Sequence, residues 1–90
     1  MSKFKTVRDL NKFFSGRKIL VLPGHEWEGE ETDFVEMCHS NGETAAPHVP
    51  TGKRNDLVMK VKTRFGTELL LEGKYMMTIE KKILQRGKQN

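Results

Sequence analysis

Apolar and polar residues alternate with a period of two along several stretches of the chain, the pattern of β-strands that bury one face. A four-residue apolar run at 19–22 comes first and stops at Pro23-Gly24. Proline has no N–H to donate to a sheet and glycine accepts a positive φ, so this pair ends the strand sharply. Further strands are predicted at 32–39, 57–65, 68–72 and 75–80.

The second predicted strand carries apolar side chains on both faces. A regular pleat places Phe34 and Cys38 on one face together with Glu36, and Val35, Met37 and His39 on the other. We therefore expect this strand to be flanked on both sides.

One segment near the N-terminus has helical periodicity instead. Thr6 is a preferred N-cap residue and is followed three positions later by Asp9, a relative of the capping box. Apolar residues then recur at a spacing of three and four: Val7, Leu10, Phe13 and Phe14. With Ser15-Gly16 as a stop, the pattern predicts a short helix at about 7–14 whose two phenylalanines cover one open end of the sheet.

Residues 40–56 have two prolines, two glycines and almost no periodic hydrophobicity. Such a connection is long for a compact domain, which predicts a mobile loop. A functional alternative is that the loop is an arm, whose tip at Lys53-Arg54 contacts a partner and becomes ordered on binding. Taken together, the pattern predicts a single, mainly β domain over 1–90: a small five-stranded antiparallel SH3-like barrel or curved sheet, with one N-terminal helix and a fraying basic tail at 81–90.

The layout resembles a KOW motif, the strand-loop-strand signature of SH3-like barrels in NusG transcription factors and several ribosomal proteins. Five residues carry the first half of the resemblance: Gly16, Ile19, Val21, Gly24 and Gly29. The run V-M-K-V-K-T-R-F-G-T-E-L-L-L-E looks like the second half, so the resemblance extends over about 16–80. It implies a domain that binds nucleic acid or ribosomal and polymerase components without catalysis.

Composition narrows the class of protein. Hydrophobic content is 36% and charged content 31%, which suits a globular domain with a thin core. No apolar run approaches the roughly 20 residues that span a bilayer, and the N-terminus lacks a signal-peptide core. Cys38 is the one cysteine and has no partner for an internal disulfide. We therefore expect a cytoplasmic protein with no membrane partner.

The net charge is +4, and the basic and acidic residues are concentrated in different segments of the sequence. Residues 1–18, 53–64 and 81–90 are strongly basic, whereas 26–36 contain six acids and no base. Basic segments favour binding to nucleic acid, and the acidic segment fits a basic protein surface better. Each cluster taken alone also fits a solvated face that keeps a small domain soluble.

The strand at 57–65 has one apolar face and one basic face. Leu57, Met59, Val61, Thr63 and Phe65 point one way, and three cations point the other at about 6 to 7 Å spacing. Such a row follows a phosphate backbone, although it also protects an edge strand from aggregation. The predicted binding site for DNA or RNA, nonspecific and electrostatic, comprises Lys53, Arg54, Lys60, Lys62, Arg64, Lys81 and Lys82.

The acidic loop surrounds the lone tryptophan of the chain, Trp27. This side chain either folds back as a plug of the barrel or stays exposed as an anchor for a partner. The predicted partner-binding residues are Trp27, Glu28, Glu30 and Glu31. In this alternative the acidic loop docks on RNA polymerase, the ribosome or another basic protein, as an interaction module or an inhibitor that imitates nucleic acid.

Residues able to ligate metal or act as nucleophiles are few: His25, Cys38, His39 and His48. Their spacing matches no zinc pattern, and neighbouring strand residues point to opposite faces. We expect no enzymatic activity, metal or cofactor. The leading hypothesis is a nucleic-acid-binding regulatory protein of the transcription or translation machinery; the interaction module is second, and an assembly subunit third.

Overall fold

The computed structural model describes residues 4–53 and 56–79 and has one helix and five strands. Two 3-10 turns, Thr51–Lys53 and Gly73–Tyr75, precede β3 and β5. The prediction of a mainly β fold with five antiparallel strands and one short helix is confirmed. The elements are α1 (Val7–Phe14), β1 (Lys18–Val21), β2 (Glu31–His39), β3 (Leu57–Lys62), β4 (Glu68–Leu71) and β5 (Met76–Ile79).

The five strands form one antiparallel sheet in the order β4-β3-β2-β1-β5. The first four strands follow one another as a meander, and the 3-10 turn Gly73–Tyr75 then brings the chain back so that β5 pairs with β1. Strands β4 and β5 are the two edges. No ladder joins them within 4–53 and 56–79, so a closed barrel stays a prediction.

Helix α1 begins and ends where its local sequence predicts. Asp9 Oδ2 accepts hydrogen bonds from the backbone N–H of Lys5 at 2.9 Å and of Thr6 at 3.1 Å. These two bonds, the one from Lys5 first, hold the pKa of the Asp9 carboxyl below its ordinary value. At the other end, the Ser15 N–H donates to the Asn11 carbonyl.

The two phenylalanines of α1 have different surroundings. Phe14 packs against the core and against Phe34 of β2, with ring centroids 5.5 Å apart. Phe13 is 37% exposed, and the Arg17 guanidinium lies over its ring at 4.1 Å. The prediction that both cover the sheet therefore applies to Phe14 alone.

The core lies between the sheet and α1. Its fully buried side chains come from all parts of the chain: Val7, Ile19, Val21, Val61 and Leu71. Thr32 is also buried, and its hydroxyl donates to the Ile19 carbonyl at 2.8 Å, which satisfies the polar atom. The helix is thus fastened to the sheet mainly by apolar burial.

A β-bulge at Val35 changes the faces of β2. The register to β3 shifts between Phe34 and Glu36. Phe34 consequently shares the core face with Met37, whereas Glu36 and Cys38 lie on the outer face. The predicted grouping of Phe34 with Glu36 and Cys38 is wrong, because the bulge adds one residue and reverses the alternation.

Strand β3 ends earlier than the alternation predicts. The Thr63 hydroxyl accepts hydrogen bonds from the N–H groups of Phe65 and Thr67, and Gly66 has a φ of +86°. The chain therefore turns from Thr63 onward, and Phe65 is 68% exposed. The prediction that Phe65 continues the apolar face is wrong, because the threonine side chain closes the turn.

The connection between β2 and β3 contacts α1 through backbone carbonyls. Val7 N–H donates to the Val49 carbonyl at 2.9 Å and Arg8 N–H to the Pro47 carbonyl at 3.0 Å. These N–H groups belong to the first helical turn, which has no partners inside the helix. Ala45 of the same connection is buried in the core. Its mobility stays a prediction, and its described part caps the helix.

Candidate functional site

Strand β3 carries the central cation of the predicted nucleic-acid surface. Lys60 Nζ lies 3.6 Å from Glu36 Oε2 and 4.0 Å from Glu68 Oε1, and the Lys60 side chain is only 20% exposed. The ladder explains this arrangement, because Lys60 lies opposite Glu36 of β2. Carboxylates on both neighbouring strands therefore compensate its charge.

The other two cations of this row also lie among acids. Lys62 is exposed and lies opposite Asp33 of β2 and Glu68 of β4. Arg64 Nε lies 3.3 Å from Glu30 Oε2, without the alignment of a hydrogen bond. The predicted basic face of this strand therefore also carries carboxylates, because antiparallel pairing places those of β2 and β4 beside Lys60 and Lys62.

Of the remaining predicted cations, the structure describes only Lys53. Lys53 ends the 3-10 turn Thr51–Lys53. Arg54, Lys81 and Lys82 lie outside the described residues. Within the described part of the chain, Lys60, Lys62 and Arg64 thus lie on one surface, with carboxylates between them.

The acidic loop between β1 and β2 is held by its own hydrogen bonds. Glu28 Oε1 accepts from the Gly24 N–H at 3.1 Å, and His25 Nδ1 accepts from the Trp27 N–H at 3.1 Å. Glu30 is largely buried against Arg64. Of the three predicted partner-binding acids, Glu28 and Glu30 thus have structural partners, and Glu31 is exposed.

Trp27 packs against the core and is half-buried, so neither a fully buried plug nor a fully exposed side chain describes it. Its role as an anchor for a partner stays a prediction. Trp27 lines a groove of about 390 Å³ between the β1–β2 loop and β4, which we call the aromatic groove. The lining residues are Gly24, His25, Glu26, Trp27, Leu69, Leu70 and Tyr75.

The far wall of the aromatic groove is set by Tyr75, the last residue of the second 3-10 turn. The His25 and Tyr75 rings meet edge to face with centroids 5.4 Å apart. A Cβ on Gly24 would lie 3.2 Å from Tyr75 Cε1, and Gly24 has a φ of +104°. Glycine is therefore required where the loop approaches the tyrosine. No local sequence signal pairs these segments, because about fifty residues separate them.

Helix α1 carries cations that the site prediction did not include. Arg8 and Lys12 are exposed and lie one turn apart on one side of the helix, and Lys5 is exposed just before the N-cap Thr6. No salt bridge joins any of the three to a carboxylate in the described part of the chain, although Arg8 interacts electrostatically with the neighbouring Asp9. The i, i+4 spacing of Arg8 and Lys12 was the available sequence signal.

Candidate groups for metal chemistry are dispersed. Residues 4–53 and 56–79 contain no group of three histidine, cysteine, aspartate or glutamate side chains that could hold a metal ion. Cys38 is buried, and this burial raises the pKa of its thiol. His39 Nδ1 lies 3.3 Å from Asp56 Oδ2 at the end of β2. The absence of catalytic activity stays a prediction.

Comparisons with known proteins return no family model, curated protein or solved structure that matches this chain. The likeness to KOW domains therefore remains a resemblance of motifs. No described helix is long and apolar enough to cross a membrane.

Proposed function

We propose that the protein is a non-enzymatic interaction module that binds a basic surface of a partner protein through the aromatic groove and the β1–β2 loop. One observation carries the proposal: three aromatic side chains line the groove, and its single formally charged lining residue is the exposed Glu26. Partially exposed tryptophan and tyrosine side chains are enriched among residues that dominate binding energy at interfaces.

The two charged surfaces differ in how far their charges are already compensated. On the outer face of β2, β3 and β4, Lys60 has two carboxylate neighbours. On the β1–β2 loop, Glu26 is exposed and has no cation partner within the described residues. An uncompensated carboxylate in a groove lined by aromatic and leucine side chains favours a cationic partner with apolar side chains.

A fluorescence titration tests this function, because Trp27 is the only tryptophan of the chain and lines the groove. We expect a lysine-rich peptide with interspersed leucines to change its emission and to reduce quenching by acrylamide. The glutamate counterpart of that peptide should do neither. If cationic peptides at low salt change neither the Trp27 emission nor its quenching by acrylamide, the proposal is contradicted.

Charge reversal identifies the surface. The variant Glu26→Lys should slow association several-fold and leave the unfolding temperature nearly unchanged, because this side chain is exposed. Glu43→Lys, which makes the same change of charge at an exposed acid of the β2–β3 connection, is the matched control. Equal effects of the two variants would show that the interaction depends on net charge alone and not on the groove.

A second candidate is the nucleic-acid-binding regulatory protein of the transcription or translation machinery. The observation that favours it is the pair of exposed cations Arg8 and Lys12 on one side of α1, with the exposed Lys5 just before the helix. Basic residues at 54 and 81–88 of the sequence add to the same charge. Such binding would be electrostatic and tolerant of sequence.

A salt titration with duplex DNA and with RNA tests this second candidate. Affinity should fall steeply with salt, and Arg8→Glu with Lys12→Glu should weaken it more than Lys60→Glu, Lys62→Glu and Arg64→Glu together. The triple variant removes cations that already have acidic neighbours. Absence of binding at low salt rejects the nucleic-acid function.

A further inference from the structure

We propose that the aromatic groove accepts an extended, lysine- or arginine-rich segment of a partner protein, which pairs with the edge strand β4 as an additional strand. The inference rests on the proposed interaction function and specifies its ligand. It follows from the direction of the backbone groups of β4, the side chains of the groove and the charges on its two walls.

The register of the sheet fixes which backbone groups of β4 point outward. Thr63 N–H donates to the Thr67 carbonyl, so the hydrogen-bonded pairs between β3 and β4 continue at every second residue, with Leu69 and Leu71. The hydrogen bonds of β2, on the other side of β3, agree with this alternation. The Met37 carbonyl accepts from the Ala45 N–H and the His39 N–H donates to the Glu43 carbonyl, so both groups point away from β3. Leu70 therefore directs its N–H and C=O away from β3.

These outward groups lie at the aromatic groove. Leu69 and Leu70 line the groove, and β4 pairs with β3 alone within the described residues. No described residue hydrogen-bonds the Leu70 backbone. An unpaired donor and acceptor on an edge strand form a template for an added strand, and side chains that alternate along that strand supply selectivity.

The side chains at the edge suit an added strand that carries apolar residues at alternate positions. One face of such a strand meets Trp27, His25 and Tyr75 across the groove. The other face meets the side chain of Leu70, which is 39% exposed. Both faces therefore offer apolar surface at the same edge.

The charges on the two walls differ, and together they favour a basic segment. On the β4 side the carboxylates have cation neighbours: Glu68 lies 4.0 Å from Lys60 and Glu72 lies 3.7 Å from Lys74. On the loop side, Glu26 lines the groove and Glu28 lies two residues further along the same loop, and both are exposed without an ion pair in the described residues. The excess negative charge at the groove therefore comes from the loop. A phosphate backbone would be repelled here, whereas lysine or arginine side chains at the rim would be attracted.

Selection from a random peptide library displayed on phage, with the full chain immobilised, provides the probe. We expect enrichment of peptides that alternate apolar residues with lysine or arginine, and quenching or shifting of Trp27 emission by the synthesised peptides. If no basic peptide is enriched, the proposed function and this inference both fail. If proline-rich peptides are enriched instead and change the Trp27 emission, the groove is still the binding site, but binding by strand addition is overturned.

Two changes at Leu70 separate backbone pairing from side-chain contact. Leu70→Pro removes the outward N–H without removing a bond to β3, and proline is tolerated at such a position of an edge strand. Leu70→Ala keeps the N–H and is the matched control. We expect the selected peptide to bind Leu70→Pro about tenfold more weakly than Leu70→Ala. Equal binding to the two variants overturns strand addition and leaves the interaction function intact.

A change in the peptide tests the same bond without altering the protein, and it decides the matter if Leu70→Pro does not fold. N-methylation of alternate peptide amides should abolish binding in one register and spare it in the other, as an edge-paired strand requires. Equal effects of the two methylation patterns contradict the inference.

Two rival occupants of the edge have separate signatures. A second copy of this chain would give a concentration-dependent dimer in analytical ultracentrifugation that Leu70→Pro dissociates. The basic segment at 81–90 of the same chain would give peptide binding only after Lys81→Gln and Lys82→Gln. Either result overturns a partner segment as the ligand, whereas a monomer that binds peptide without these substitutions supports it.

Discussion

The outer face of β2, β3 and β4 and the aromatic groove contain the same kinds of charged residue in opposite arrangements. On the outer face, Lys60 lies between Glu36 and Glu68, so attraction is satisfied within the sheet. At the groove, Glu26 is exposed and has no ion pair within the described residues. The charge of Lys60 is thus compensated inside the sheet, whereas the charge of Glu26 remains available to a partner.

The difference follows from antiparallel pairing. A basic strand in the sequence acquires whatever neighbours the register provides, and here the acidic β2 and Glu68 of β4 are those neighbours. Like charges directly opposite one another destabilise a sheet, so opposite charges are favoured there. A row of cations along one strand is for this reason a weak indication of a phosphate-binding surface.

The largest expected effect compares the two faces of β4. Leu71→Ala should lower the free energy of unfolding by about 3 kcal/mol, because Leu71 is fully buried and its truncation leaves a cavity. Leu70→Ala, one residue away on the exposed face, should lower it by less than about 1 kcal/mol. Urea denaturation of both variants measures the difference, and similar losses would contradict the assigned faces.

Truncation of Trp27 should have the next largest effect. Trp27→Ala should destabilise the protein by about 2 kcal/mol, less than for a fully buried tryptophan, because its side chain is only half-buried. Trp27→Phe should retain most of the stability. Thermal unfolding checks both values, and an unchanged stability of Trp27→Ala would mean that the side chain does not pack against the core.

Truncation of lysines on the outer face should have a smaller effect on stability, and this effect should depend on salt. Lys60→Ala should cost about 1 kcal/mol of stability, because Glu36 and Glu68 lose their shared cation. Lys62→Ala should cost less than about 0.5 kcal/mol, because Lys62 is exposed and has no ion pair in the described residues. Denaturation at low and high salt measures both, and the Lys60 effect should shrink as salt rises.

The smallest expected effect is on the pH dependence of the free energy of unfolding at acidic pH. Hydrogen bonds from the Lys5 and Thr6 N–H groups depress the pKa of Asp9 in the folded state. Its stabilisation is therefore present above the unfolded pKa and lost as pH falls through the folded pKa. Asp9→Asn should be less stable at neutral pH and should lose less stability on acidification below about pH 4. Parallel unfolding profiles for both proteins would contradict this assignment.

Local features of the fold could be predicted from the sequence. Helix α1 has the predicted bounds because its capping residues and apolar spacing lie within the helix itself. Pro23-Gly24 ended the first strand for equally local reasons. A turn at Phe65-Gly66-Thr67 is also predicted by its glycine. The bulge at Val35 and the end of β3 at Lys62 could not be predicted, because each depends on a backbone geometry that the alternation of residues does not encode.

The candidate site depended on distant segments and was predicted only in part. Trp27 and the acids of its loop were identified because they are adjacent in sequence. Tyr75 and Leu70, which complete the groove, lie more than forty residues away and have no distinguishing local pattern. The ion pairs of Lys60 likewise depend on register, which composition does not reveal.

Chemical-shift mapping of the backbone amides during titration with a lysine-rich peptide that contains leucines tests the central claim most directly. We expect the largest shifts at the Trp27 indole and at the amides of Gly24 and Leu70, with little change at Lys60 and Lys62. Shifts concentrated on the outer face of β2, β3 and β4, or no localised shifts at all, would contradict the assignment of the aromatic groove as the binding surface.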